Sequence, residues 1–154
     1  MQATKRYIPF VTYGQSKLAM LMFAYELQRR SDAAGWGLTS IGAHPGVSRT
    51  DLMANGPGQA GIMRTPVARG ATSFFMNIFA QSVEEGALPQ IFAATSPAAK
   101  AGGYYGPANM NEYKGPVTAA KPPPAALDTA IAARLWTVSQ ELTQLPFAVD
   151  RTVA

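Results

Sequence analysis

Tyr13-Gly-Gln-Ser-Lys17 sets a phenol and an ammonium four residues apart inside an otherwise apolar run. On a helix, positions i and i+4 share a face, so the two side chains would project into the same space. The surrounding pattern supports a helix over residues 10–34. Leu18, Leu21, Met22 and Tyr25, with Phe10 further up, recur at three- and four-residue spacing, and Gln28, Arg29, Arg30 and Asp32 gather at the polar end. Gly35 and Gly37 are natural terminators, and arginines near a helix C-terminus suit its dipole. One face of this helix should be buried. A phenol titrates near ~10 and carries protons poorly at neutral pH, but a neighbouring cation makes it a better carrier. Carbonyl reduction and alcohol oxidation both need such a group beside the substrate oxygen. The same spacing also occurs on ordinary helix surfaces, with the ring half packed and the amine in water, so the flanking text has to decide.

Downstream, Leu38-Thr-Ser-Ile-Gly-Ala43 is short and apolar enough for a buried strand, with Gly42 suited to close approach of another backbone or a ligand. A helix followed by such a strand is half of a βαβ unit. The next segment, His44-Pro-Gly-Val-Ser-Arg-Thr50, starts at the C-terminal end of that strand, the edge at which open α/β sheets bind ligands. A Tyr-x-x-x-Lys helix followed by a strand ending in Pro-Gly-x-x-x-Thr resembles the short-chain dehydrogenase/reductase family, and within it the retinol-dehydrogenase-like branch. The likeness continues more loosely through Gly86-Ala-Leu-Pro-Gln-Ile-Phe92, Gly102-Gly-Tyr-Tyr105 and Leu135-Trp136.

That resemblance implies an α/β fold: the C-terminal half of a Rossmann-type doubly wound parallel sheet, helix-rich, with its first strands missing. It implies an oxidoreductase that uses NADP or NAD to reduce a carbonyl, or oxidise an alcohol, on a small apolar substrate. Tyr13 would be the proton donor in reduction and the acceptor in oxidation. Lys17 would assist it and bond the nicotinamide ribose hydroxyls. Pro45 and Gly46 would let the backbone approach the nicotinamide, Val47 would offer its amide to the carboxamide, and Thr50 would bond the carboxamide or a phosphate oxygen. Ser16 faces elsewhere on the helix and receives no chemistry. His44, the one histidine, has no second ligand beside it, which disfavours a metal and favours a structural role at the strand end.

The departures from the family are large. No Gly-x-x-x-Gly-x-Gly is present, nor the Asn-Asn-Ala-Gly segment, and no serine precedes Tyr13. Met20 stands where this branch usually carries Asn. Since a dinucleotide needs pyrophosphate contacts, the expectation is that the isolated chain binds NAD(P) very weakly and is inactive. The alternative is a non-catalytic truncated remnant that acts only through self-association or docking on an intact subunit. The apolar face of the Tyr13 helix should then be left uncovered, which favours a homo-oligomer or association with a missing N-terminal half.

The remaining stretches read as parts of one partial domain. Residues 1–9 form a lead-in loop, residues 10–54 carry the active-site helix, strand and cofactor loop, and residues 55–81 are a substrate loop or lid rich in glycine and proline. Within the last of these, Phe74, Phe75, Ile78 and Phe79 suggest a short apolar helix. Residues 82–145 hold the C-terminal helices and last strand. Ser82-Val-Glu-Glu85 is a capping-box signature opening a helix to about Thr95 with Pro89 inside it, and residues 102–106 are a short strand with structural tyrosines. Residues 107–124 read as loop. Residues 125–145 read as a helix with an apolar stripe of Leu127, Ile131, Leu135, Val138 and Leu142, and residues 146–154 as a tail.

Composition narrows the classes. With 154 residues and 47% hydrophobic content there is enough chain for one core. The absence of cysteine excludes disulfides and thiolate metal sites. A net charge of +4, scattered rather than striped, gives nucleic-acid binding no support. No apolar run approaches the ~20 residues of a membrane span, and no signal-peptide layout opens the chain, so a cytoplasmic protein is expected.

Overall fold

The computed structural model describes residues 7–48 and 80–147. Thr50, most of the 55–81 segment with its expected aromatic helix, and the tail beyond Phe147 lie outside the described residues.

Helix α1 spans Pro9–Ala34. Pro9, read from sequence as the end of the lead-in, is instead its first residue, a position where the missing N–H has no helical partner to lose. The helix stops at Gly35, which takes the left-handed conformation (φ 66°) and donates to the Ser31 carbonyl. Its polar end is used internally. Glu26, 2% exposed, accepts from Arg30 Nε at 2.7 Å and also pairs with Arg29.

Strand β1 is only Gly42–Ala43, so the expected 38–43 strand is reduced to its last residues. The reason lies in α1, whose side chains stand in for a neighbouring strand. Ser31 Oγ both accepts from Leu38 N and donates to Leu38 O, each at 2.9 Å, and Gln28 Oε1 accepts from Ser40 N at 2.7 Å. Helix α2, Val83–Thr95, opens with the expected capping box: Ser82 Oγ accepts from Glu85 N at 3.1 Å and Glu85 Oε2 accepts from Ser82 N at 2.9 Å. Pro89 lies inside it with its ring buried.

Residues 107–124 are not a loop. Strand β2 runs Tyr104–Asn109 and returns as strand β3, Lys114–Ala119. The turn between them holds Met110, Asn111 and Glu112 at φ 53°, 55° and 64°. Left-handed backbone costs a non-glycine residue about 1–2 kcal/mol, which is why this turn carries no strong sequence signal. The sheet order is β1-β2-β3. Gly42 and Ala43 pair in parallel with Tyr104 and Tyr105, and β2 pairs antiparallel with β3 (Tyr105 opposite Ala119, Gly106 opposite Thr118).

A 3-10 turn at Pro124–Leu127 then leads to helix α3, Thr129–Thr143, where Asp128 Oδ1 accepts from Ile131 N at 2.9 Å as the N-cap. The continuous 125–145 helix is thus broken at Asp128. Its buried face is also not the expected leucine stripe: Ala132 and Trp136 are buried, while Leu127, Ile131 and Leu142 are exposed.

Successive strand residues face opposite sides of a sheet, and β2 shows what covers each. Tyr104 packs with the cluster of Leu21, Met22, Ala126 and Ala132, drawn from α1, the 3-10 turn and α3. Tyr105 meets Phe92 of α2, with ring centroids 4.9 Å apart. Helices therefore cover both faces. This is a partial Rossmann-like α/β fold with an antiparallel strand added at its edge. Trp136 fastens α3 to α1: its ring stacks on Phe23 at 4.8 Å and lies 4.7 Å under the Arg30 guanidinium. The other side of α1 is bare, with Phe10 75% and Met20 64% exposed. Phe10 is therefore not part of the buried face anticipated from its spacing.

Candidate active site

Tyr13 sits in the second turn of α1 and Lys17 one turn on, so helical geometry alone brings them together. The Lys17 ammonium lies 5.4 Å from the centre of the Tyr13 ring. Ser16 turns back and donates to the Tyr13 carbonyl at 2.7 Å, which leaves it without a role in the site. Tyr13 and Lys17 open onto a cavity of about 640 Å³ whose far wall is the exit of β1, namely Ala43, His44, Pro45 and Gly46. Met20, Leu21, Ala24 and Ile41 give it apolar walls, Gln90 reaches in from α2, and Tyr104 closes the floor.

The turn after β1 is held from below by the β2–β3 hairpin. Gly46 has φ 63°, and a Cβ there would collide with the Tyr113 carbonyl and come within 2.7 Å of Pro107 and 2.9 Å of the Glu112 carbonyl. Glycine is therefore required at 46 by its conformation and by the hairpin packed beneath it. The Val47 N–H, expected to face a carboxamide, donates to the Tyr113 carbonyl at 2.8 Å, and the Val47 carbonyl accepts from Gln81 N at 2.8 Å. Any ligand contact to that amide has to displace Tyr113. Thr50 lies outside the described residues.

His44 takes the structural position expected of it. Gly46 N donates to its Nδ1 at 3.3 Å, so the proton sits on Nε2, 3.2 Å from Glu112 Oε2 though off the line a hydrogen bond needs. Its ring leans on Tyr104 at 5.1 Å and occupies the place where a Gly106 side chain would begin. Burial pushes the His44 pKa down, and the Glu112 carboxylate opposes this only in part, so the ring is neutral at pH 7. Burial likewise pushes the Tyr104 phenol up, with Glu112 and Tyr25 acting in the same direction. Tyr104 is thus a wall of the cavity and a poor proton carrier. No group of three or more His, Asp or Glu side chains suited to a metal occurs among the described residues, and none of their helices is long and apolar enough to cross a membrane.

Sequence reasoning missed two residues that organise the site. Glu112 lies in a stretch read as loop. Gln81, 4% exposed, lies in the stretch read as lid, and a lone glutamine carries no pattern. Asn111 in the turn, with Asn109 ending β2 before it, was the available hint of the hairpin between Tyr104-Tyr105 and Val117-Thr118.

No protein-family model matches the chain. Similarity to individual proteins is nonetheless extensive. The chain is 36% identical to polyprenol dehydrogenase of Mus musculus over 137 residues, 89% of this chain and 36% of that protein. It is 30% identical to the short chain dehydrogenase/reductase dpmpH of Macrophomina phaseolina, covering 91% of this chain and 63% of the relative. It is 31% identical to retinol dehydrogenase 13 of Homo sapiens, covering 92% and 39% respectively. The chain thus spans less than two thirds of the length of each of these relatives. Among solved structures, an uncharacterized protein from Mycobacterium paratuberculosis superposes with a TM-score of 0.63 at 32% identity, over 94% of this chain and 43% of that one. With a Tyr-x-x-x-Lys helix opposite a Pro-Gly turn, and these likenesses running the length of the sequence, the chain belongs to the short-chain dehydrogenase/reductase family.

Proposed function

We propose that the protein serves an NAD(P)-dependent oxidoreductase reaction, the interconversion of a carbonyl and an alcohol on an apolar substrate. The observation that carries the reading is the shared cavity, with Tyr13 and Lys17 on one side and the Pro45–Gly46 turn on the other. A nicotinamide end fits there in kind: Lys17 is an exposed ammonium able to donate to ribose hydroxyls, and Gly46 has no side chain to hold a ring away from the turn. When bound, NAD(P)H supplies the hydride. Tyr13 supplies the proton to the substrate oxygen in reduction and takes it back in oxidation, and Lys17 stabilises the negative charge left on the phenol. The apolar walls of Met20, Leu21, Ala24 and Ile41 favour a hydrocarbon-rich substrate over a charged one. Relatives named for polyprenol and retinol, both long apolar alcohols, support that direction.

The 154 residues contain no glycine-rich phosphate loop, so this reading assigns them the nicotinamide end and the substrate. The phosphates go to elements supplied by a partner segment. The bare α1 face with Phe10, Val11 and Met20 favours a second reading, a docking module without turnover of its own. One assay separates the two. NADPH and NADH oxidation with a long-chain aldehyde is followed for the chain alone and mixed with the N-terminal half of a homologous dehydrogenase. Turnover is expected only in the mixture, and Tyr13→Phe should lower it by about 10²–10⁴-fold. Undiminished turnover with Tyr13→Phe refutes the catalytic reading, and complex formation without turnover favours the docking one.

A further inference from the structure

Gln81 is the most completely used buried polar side chain near the site. Its Nε2 donates to the Pro45 carbonyl at 2.7 Å, and its Oε1 accepts from Gly115 N at 3.1 Å. The amide orientation is unambiguous, because a carbonyl can only accept and an N–H can only donate. Its own backbone N–H bonds the Val47 carbonyl at 2.8 Å, so residue 81 grips the turn at two points, 45 and 47, and the hairpin at a third. The hairpin meets the same turn independently through Tyr113 O to Val47 N and through Glu112 beside His44, and Glu112 is in turn held by Lys121 N at 2.7 Å. Each of the three residues from Pro45 to Val47 is therefore bonded to hairpin, Gln81 or His44, and none depends on solvent alone.

We propose that Gln81 is a positioning residue for the Pro45–Val47 turn, setting the backbone surface that faces Tyr13 and Lys17 by tying it to the β2–β3 hairpin. The proposal rests on the functional reading above for what the turn then does, but the positioning itself can be tested without a cofactor. Gln81 touches no reacting atom. It acts through Pro45 and Val47, and the hairpin becomes part of the machinery that shapes the site.

Amide hydrogen exchange on the full chain reads this directly. Gln81→Met removes both side-chain bonds at nearly constant length. Gln81→Glu keeps an acceptor for Gly115 N and replaces the donor to Pro45 with a repelling oxygen. Losing a buried hydrogen bond and orphaning its partner should speed exchange at Gly46 and Val47 by about tenfold or more in both variants. Gly115 should lose protection in Gln81→Met and keep it in Gln81→Glu, a separation that general loosening cannot produce. Met22, in the middle of α1, should be unaffected. Unchanged exchange at Gly46 and Val47, or an equal loss at Met22, overturns the proposal. Titration with NADPH of the wild-type chain mixed with the N-terminal half of a homologous dehydrogenase, read at the same amides, addresses the functional reading separately. If the turn loosens in the variants but NADPH never shifts Gly46 or Val47, the positioning role stands and the cofactor assignment fails.

Discussion

The same substitution, glycine to alanine, should have opposite effects at two positions in this chain. At Gly14, within α1 and with no atom inside 4 Å of a built Cβ, Gly14→Ala removes the backbone entropy penalty of glycine in a helix. The gain should be about 0.5–1 kcal/mol. At Gly106 the backbone is not in the left-handed region, so alanine is conformationally acceptable, but its Cβ would lie on the His44 imidazole. The ring has to leave. Overpacking of this kind costs about 1–3 kcal/mol. The displaced ring also gives up the hydrogen bond from the Gly46 N–H, about 0.5–1.5 kcal/mol. Subtracting about 0.4–1 kcal/mol for the stiffer unfolded chain leaves a net loss of about 0.5–4 kcal/mol. At roughly 2–4 °C per kcal/mol for a chain of this size, thermal unfolding should show Gly14→Ala about 1–4 °C up and Gly106→Ala about 1–16 °C down. A His44→Ala background should rescue Gly106→Ala to within about 1 kcal/mol of its own parent, since removing the ring vacates the space. A Gly106→Ala variant as stable as wild type, or one equally damaged in the His44→Ala background, would refute the steric argument.

Three further outcomes follow from the packing and charges. Gln144, at the C-terminus of α3 with φ 54°, occupies a glycine position, so Gln144→Gly should raise stability by about 1 kcal/mol in urea unfolding. Trp136, 1% exposed between Phe23 and Arg30, should cost about 3–5 kcal/mol as Trp136→Ala, and clearly less as Trp136→Phe, which keeps a ring for Phe23; denaturant midpoints give both values. Because burial holds the His44 pKa below its ordinary 6.5, the unfolded chain takes up that proton first as pH falls. The associated stability is complete above 6.5 and is lost as pH drops below it, and a His44→Gln variant should lack this slope in unfolding measured from pH 8 to 5.

Local signals were read correctly wherever one segment carries its own reason. Helix α1 follows from its periodicity and Gly35, and α2 from the Ser82–Glu85 box. What could not be read depends on side-chain contacts and backbone conformations that no residue pattern announces. Strand β1 shrank because Ser31 and Gln28, on the last turns of the preceding helix, took over the backbone of Leu38 and Ser40. The hairpin was hidden because its turn uses left-handed Met110 and Glu112, residues with no preference for that conformation. The burial of α3 was misjudged because Trp136, packed against Phe23 and Arg30, outweighs a regular leucine spacing. Glycine 46 was singled out for close approach of a nicotinamide, and its close neighbour in the fold is the hairpin carbonyl of Tyr113.

At 26 residues, α1 is about 39 Å long at the ordinary helical rise. Its clamps are the Phe23–Trp136 stack and the Arg30 guanidinium over the same Trp136 ring, both beyond its midpoint. The turns bearing Tyr13 and Lys17 form a cantilever, steadied along its length by Leu18 and Leu21 while Phe10 and Val11 overhang at the tip. Tyr13 and Lys17 therefore ride on the free end of a lever, and whatever comes to rest against that tip governs how still the phenol is held.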